Sequence, residues 1–198
     1  NTTGGFNAFF GSFAGINNST GFHNSFFGAN AGVSTTSGGN NSFFGNDAGN
    51  RNTTGTDNAF FGRDTGFSNI TGSGNAYYGR RSGTNNVSGN NNTMVGAFAG
   101  ESNLASDNSF FGTSAGSSNT TGSFNSFFGR EAGINNSVAG ENSFFGSRAG
   151  RENQTGSFNA FFGTSAGHSN TTGASNTIVG YHAAYWGNGS ENSFFGRG

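Results

Sequence analysis

The chain has 198 residues, of which 38 are Gly and 25 are Phe, with no Pro, no Cys and a net charge of −1. Charged residues are 9 %, every cation is Arg and Leu104 is the only Leu, which excludes a basic footprint for nucleic acid or anionic membrane and leaves little to fill the face of an amphipathic helix. Apolar runs are only a few residues long, too short for a membrane span, and without Cys there is no disulfide framework and no redox marker of compartment.

One phrase recurs along the chain: Asn, a small residue, two aromatics, Gly. It opens as Asn7-Ala8-Phe9-Phe10-Gly11, returns as Asn24-Ser25-Phe26-Phe27-Gly28, and closes as Asn192-Ser193-Phe194-Phe195-Gly196. The leading Asn residues are 7, 24, 41, 58, 75, 92, 108, 125, 142, 159, 176 and 192, so the step is 17 except for two steps of 16, after Asn92 and after Asn176. A fixed period of this length predicts a solenoid, and a function that a repeated surface can perform. The chain starts on Asn in mid-repeat, without a charged and apolar leader, and is expected to be a mature or excerpted part of something longer.

With the leading Asn as position 0, position 1 is Ser, Ala or Thr. Positions 2 and 3 are aromatic except in Met94-Val95 and Ile178-Val179. Position 4 is always Gly, position 7 is Ala except for Thr65 and Ser82, and position 8 is Gly except for Ala184. Position 14 is mostly Gly as well. Gly marks positive φ or close approach of two backbones. The pattern therefore predicts two short strands per turn, near positions 15 to 3 and 9 to 13, with corners near 4 to 8 and 14. Stacked turns would pair as parallel strands, and twelve of them at about 4.8 Å give an all-β parallel β-solenoid (β-roll) about 55 Å long over residues 1–198.

The recurrent Asn has a structural use in such a coil. The amides of Asn24, Asn41, Asn58, Asn75, Asn108, Asn125, Asn142 and Asn159 are expected to form a ladder from turn to turn; a local Asx turn capping each strand is the alternative. Adjacent strand residues point to opposite faces. One reading puts position 3 in the core, as Phe10, Phe27, Phe44, Phe61, Phe111, Phe128, Phe145 and Phe162. Position 2 then forms an outward assembly stripe, as Phe9, Phe26, Phe43, Phe60, Phe110, Phe127, Phe144 and Phe161. The other reading has a bulge at position 4 that turns both aromatics inward. Asn-x-Ser/Thr recurs at position 11, at Asn18, Asn52, Asn69, Asn86, Asn119, Asn153 and Asn170: either a row of glycosylation acceptors, or Asn and Thr favoured in a polar strand.

Chemistry is absent from the pattern. His23, His168 and His182 fall at different unit positions with no spaced carboxylates beside them, and the four Asp residues do not recur in phase as calcium repeats do. No nucleotide-binding motif occurs and no base accompanies the many hydroxyls, so neither an enzyme nor a cofactor is expected.

The unit resembles the head repeats of trimeric autotransporter adhesins. It is still more similar to the Asn-Thr-Ala-aliphatic-Gly-x-x-Ala-Gly repeats of phage tail fibres and large bacterial surface proteins. Asn92-Thr93-Met94-Val95-Gly96-Ala97-Phe98-Ala99-Gly100 and Asn176-Thr177-Ile178-Val179-Gly180 carry that likeness. It departs in its longer period and its Phe-Phe pairs, and neither a coiled-coil stalk nor a membrane anchor is expected within these 198 residues. The resemblance implies a β-roll and an extracellular or cell- or virion-surface location. The reading is a structural segment of a fibre or adhesin shaft that associates with itself, as trimer or filament, through its aromatic stripe and solenoid ends. A binding module for glycans or ice on a Thr/Ser/Asn face is the alternative, with surface glycans as the second class of partner. Neither nucleic acid nor membrane insertion is expected. A disordered aromatic-Gly mesh would tolerate variable spacers, which the constant phase argues against.

Overall fold

The computed structural model describes residues 2–198. Its strands are β1 (Ala8–Phe10), β2 (Ser25–Phe27), β3 (Ser42–Phe44), β4 (Ala59–Phe61), β5 (Ala76–Tyr78), β6 (Thr93–Val95), β7 (Ser109–Phe111), β8 (Ser126–Phe128), β9 (Ser143–Phe145), β10 (Ala160–Phe162), β11 (Thr177–Val179) and β12 (Ser193–Phe195). They form one parallel sheet in chain order, so the chain is a parallel β-solenoid with one strand added per turn. Each residue pairs with its counterpart one turn on, as in Phe110↔Phe127 and Phe127↔Phe144. The 16-residue turns keep this register, pairing Thr93 with Ser109 and Thr177 with Ser193. The missing residue comes from the far side of the coil, at position 13, where Leu104 and Asn188 run directly into the position-14 carbonyls of Ala105 and Gly189.

Each strand stops after three residues because a Gly in an unusual conformation ends it. Gly112 has φ +135°, and a Cβ there would lie 2.5 Å from the carbonyl oxygen of Gly129 in the next turn. Position 4 therefore needs Gly for its conformation and for the approach of the backbones. The second strand expected at positions 9 to 13 is not formed. There two or three successive N–H groups usually converge on one carbonyl instead of alternating along a ladder: those of Ser19, Thr20 and Gly21 all donate to the Thr36 oxygen, at 3.0, 3.0 and 3.3 Å. The position-12 hydroxyl often joins them, as Thr53 does to the Ile70 carbonyl at 3.1 Å.

The core corrects the assignment of the aromatics. Position 2 is inside: Phe26, Phe43, Phe60, Phe110, Phe127, Phe144 and Phe161 are fully buried, with Phe9 packed against the same cluster. Position 3 is outside: Phe10, Phe27 and Phe162 are exposed, and Phe44, Phe61, Phe111, Phe128 and Phe145 are half-buried. No bulge brings both inward. The reason is parity. The position-0 Asn is interior, so with a period of two position 2 is interior and positions 1 and 3 face out. The buried rings stack at 4.7–4.9 Å, wherever two aromatics follow one another. Ala at position 7 packs against them. Gly at position 8 leaves room for the ring: a Cβ on Gly133 would lie 2.5 Å from the Phe127 ring.

Two columns of buried Asn complete the interior. At position 0, each side-chain oxygen accepts the backbone N–H of the next Asn, as Asn108 Oδ1 does from Asn125 at 2.9 Å. In most turns its Nδ2 donates to the position-14 carbonyl of the same turn, as Asn125 does to Ala139 at 2.9 Å; Asn142 Nδ2 has no partner. Direct amide-to-amide bonds also occur, such as Asn41 Nδ2 to Asn24 Oδ1 at 3.2 Å.

The second column is position 11, which corrects the glycosylation reading. Asn18, Asn52, Asn69, Asn86, Asn119, Asn153 and Asn170 are at most 1 % exposed. Their amide nitrogens are occupied: Asn153 Nδ2 donates to Asn136 Oδ1 at 2.8 Å and to the Gly156 carbonyl at 2.9 Å. The motif recurs at position 11 because these Asn satisfy buried carbonyls, and none of these seven amide nitrogens is open to solvent.

Thr35 interrupts this column. It leaves Asn18 Oδ1 and its own Oγ1 buried without partners. Thr35→Asn is expected to supply the missing donor and acceptor and to raise stability by about 1 kcal/mol, the usual worth of one hydrogen bond. In the aromatic columns, Phe127→Ala should cost about 3–5 kcal/mol and Phe128→Ala clearly less, since only the first opens a core cavity. Denaturant unfolding of the three variants measures both; equal costs for the two Phe variants would refute the parity assignment.

Candidate functional site

The outer face of the sheet is the most distinctive surface of the molecule. Position 3 supplies a column of rings from Phe10 to Phe195, with Val95 and Val179 as its two narrow points, five turns apart. Successive rings are nearly coplanar in orientation and closely stacked: Phe44–Phe61 at 4.8 Å and 3°, Phe128–Phe145 at 4.7 Å and 5°. Because the ring faces cover one another, the column shows ring edges to solvent. Beside it run the small position-1 side chains.

The edges of this face differ in charge. Position 16, which enters each strand, carries Asp57, Asp107, Glu141 and Glu191 and no Arg. Positions 5 and 6, which leave it, carry Arg63, Arg80, Arg81, Arg130, Arg148 and Arg197 against Asp47, Asp64 and Glu131. Residues at positions 6 and 16 hold φ near +58°, as Arg148 (59°) and Glu141 (59°) do, so these corners are left-handed although they are not Gly. On the acidic edge, Phe124, Glu141 and Ser143 line a shallow groove open to solvent.

The corner charges are partly paired within the chain. Glu131 bridges Arg130, Arg148 at 2.8 Å and Arg151 at 3.5 Å, and the Arg148 hydrogen bond holds its carboxyl below the ordinary range. Asp47 accepts from Asn30 and Asn50, while Arg63 pairs with Asp64. In the core, the Tyr77 hydroxyl accepts from Asn86 at 2.6 Å, and burial pushes its pKa up.

The three His residues are not brought into one site. His23 lies against Phe6 and Phe22, at the opposite end from His168, which stacks on Tyr185 at 4.4 Å, and His182, which stacks on Tyr181 at 4.1 Å. Among the described residues no group of three metal-ligating side chains occurs, and no helix is long and apolar enough to cross a membrane. A feature missed in the sequence is the aromatic cluster of Tyr181, His182, Tyr185 and Trp186, which borders an open recess of about 510 Å³. Its signal was there: the chain's only Trp stands beside two of its four Tyr.

No protein-family model, curated protein or solved structure matches the chain. The solenoid class therefore stands on the geometry alone.

Acid is expected to weaken the fold. Burial, reinforced by Arg151, lowers the His168 pKa, so the folded state resists its protonation. Glu131, also lowered, must be protonated as pH falls further. In both cases the unfolded chain binds more protons: the His168 contribution is present above pH about 6.5 and the Glu131 contribution above about 4.5, and each is lost as the pH falls below that value. Thermal unfolding from pH 7 to pH 4 should show a falling midpoint, with a smaller fall between pH 7 and 5.5 in His168→Gln.

Proposed function

We propose that the chain is a structural segment of an extracellular fibre or surface appendage, a shaft of the kind the adhesin and tail-fibre resemblance implies, and that it has no catalytic role. One observation carries this reading: an unbroken in-register ladder of twelve strands, backed by two buried Asn columns and by ring stacks interrupted only at the Met94-Val95 and Ile178-Val179 turns. Such a coil resists bending and extends by adding turns, which suits a spacer. Its exposed aromatic column is longer than a soluble monomer normally leaves uncovered, which supports self-association of the shaft.

Glycan recognition has one observation in its favour. The position-3 rings offer edges, but Trp186 is 81 % exposed and Tyr181 51 %, giving open aromatic surface on which a sugar ring can stack. Trp186→Ala should then abolish retention on a glycan array without changing the circular dichroism.

Immunogold labelling of intact source cells or particles, with an antibody to the purified chain, tests the shaft reading. Label along surface fibres is the expected result. Label confined to the cell interior would overturn it.

A further inference from the structure

We propose that the aromatic outer face binds a second copy of this chain, with the two rods parallel, in register, and related by a two-fold axis along their length. The proposal rests on the shaft reading and names the partner and its orientation.

The area is sufficient. Twelve position-3 side chains, with Phe27 38 %, Tyr78 42 % and Phe162 41 % exposed and most others less, leave about 700–800 Å² per copy if a Phe offers roughly 200 Å². About 800 Å² per partner is what a stable complex buries. The rings already lie in parallel, closely stacked columns, so two columns can meet edge to edge as a dry seam, as in steric zippers.

Charge decides the orientation. Face-to-face rods can be related in two ways. A two-fold axis across the rods makes them antiparallel and lays the acidic edge of one over the acidic edge of the other. An axis along the rods makes them parallel and lays acid over base. In the parallel arrangement each turn faces the same turn of its partner. Three of the four position-16 acids have an Arg leaving the same strand: Asp57 and Arg63 flank β4, Glu141 and Arg148 flank β9, Glu191 and Arg197 flank β12. Rotation about the rod axis brings each acid over its partner's Arg, twice per turn. Among the described residues none of these acids has an ion-pair partner within its own chain. Surface pairs of this kind contribute little energy but set register and exclude the wrong alignment.

Because the chain has no Cys, single introduced thiols report the alignment directly. Phe27→Cys and Val179→Cys lie in the position-3 column itself, on the axis where the two columns meet, near opposite ends of the sheet. Under mild oxidation each should cross-link to itself. A mixture of the two, one carrying a gel-shifting tag, should give no mixed product beyond these. Mixed cross-links in place of self-cross-links would show antiparallel rods and overturn the proposal. No cross-links, with a monomer in sedimentation at high micromolar concentration, would also overturn it. Either result leaves the immunogold outcome, and so the shaft reading, untouched.

The charge pairing has its own test in sedimentation equilibrium. Glu141→Arg should weaken dimerisation severalfold, and Glu141→Arg combined with Arg148→Glu should recover most of the loss, since the double variant restores opposite charges across the axis. Failure of the second change to recover it, with both variants folded by circular dichroism, would refute the parallel pairing. Phe111→Asn with Phe128→Asn should leave a folded monomer; a dimer persisting in that variant would exclude the aromatic face as the interface.

Discussion

Each turn lies on the next with backbones in contact at the Gly after the strand, and the rest of the structure depends on that short distance. A β-carbon at position 4 would run into the carbonyl of the following turn, so Gly is required wherever the coil leaves its strand. Once turns approach this closely, every side chain sits over its counterpart. A residue type that suits one turn then suits all of them. Rings stack on rings, amides bond to amides, and the sequence must repeat because its environment does. The interior is so narrow that position 8 has no room for a methyl beside the position-2 ring. Ala184, the one exception, belongs to the turn that carries Ile178 instead of a Phe.

Such an interior is half polar, which is costly unless every group is bonded. The two Asn columns meet that demand by using both ends of most amides, one toward a neighbouring turn and one toward the carbonyl at position 14, with Asn142 Nδ2 among the few atoms left unpaired. The arrangement is strict enough that single departures are visible. Thr35 leaves orphaned atoms above and beside it, and the Tyr77 hydroxyl draws Asn86 away so that Asn69 Oδ1 loses its donor. These defects are tolerated because the remaining turns hold the register on both sides.

The outer surface is under different rules. Position 3 makes the same ring stack as position 2 but closes only one side of it, so its aromatic character is not explained by stability of the single coil. The corners on either side hold left-handed φ at Asn, Asp, Arg, Glu and Phe alike, which frees their side chains to vary in charge. That variation is not random across the strand: the entering side carries acids and no Arg, while the leaving side carries six Arg against three acids. A surface with an apolar centre and opposite rims has the layout of an interface.

The period by itself determined the solenoid, the number of turns, the parallel register and the corners at Gly, because a constant phase of Asn and Gly allows no other closed path for the chain. Parity, too, was in reach: an interior Asn at position 0 already implies an interior residue at position 2, and assigning position 3 to the core set aside the strand's period of two. Other features were decided only by the tertiary structure. The Asn-x-Ser/Thr motif reads identically whether its amide faces solvent or core, and only the coil's closure turns Asn18 and Asn153 inward. The second strand was lost because three N–H groups can share one carbonyl, a geometry that no residue pattern announces. The opposed rims likewise appear only when the residues flanking each strand are stacked turn on turn into two continuous edges, where their charges can be compared.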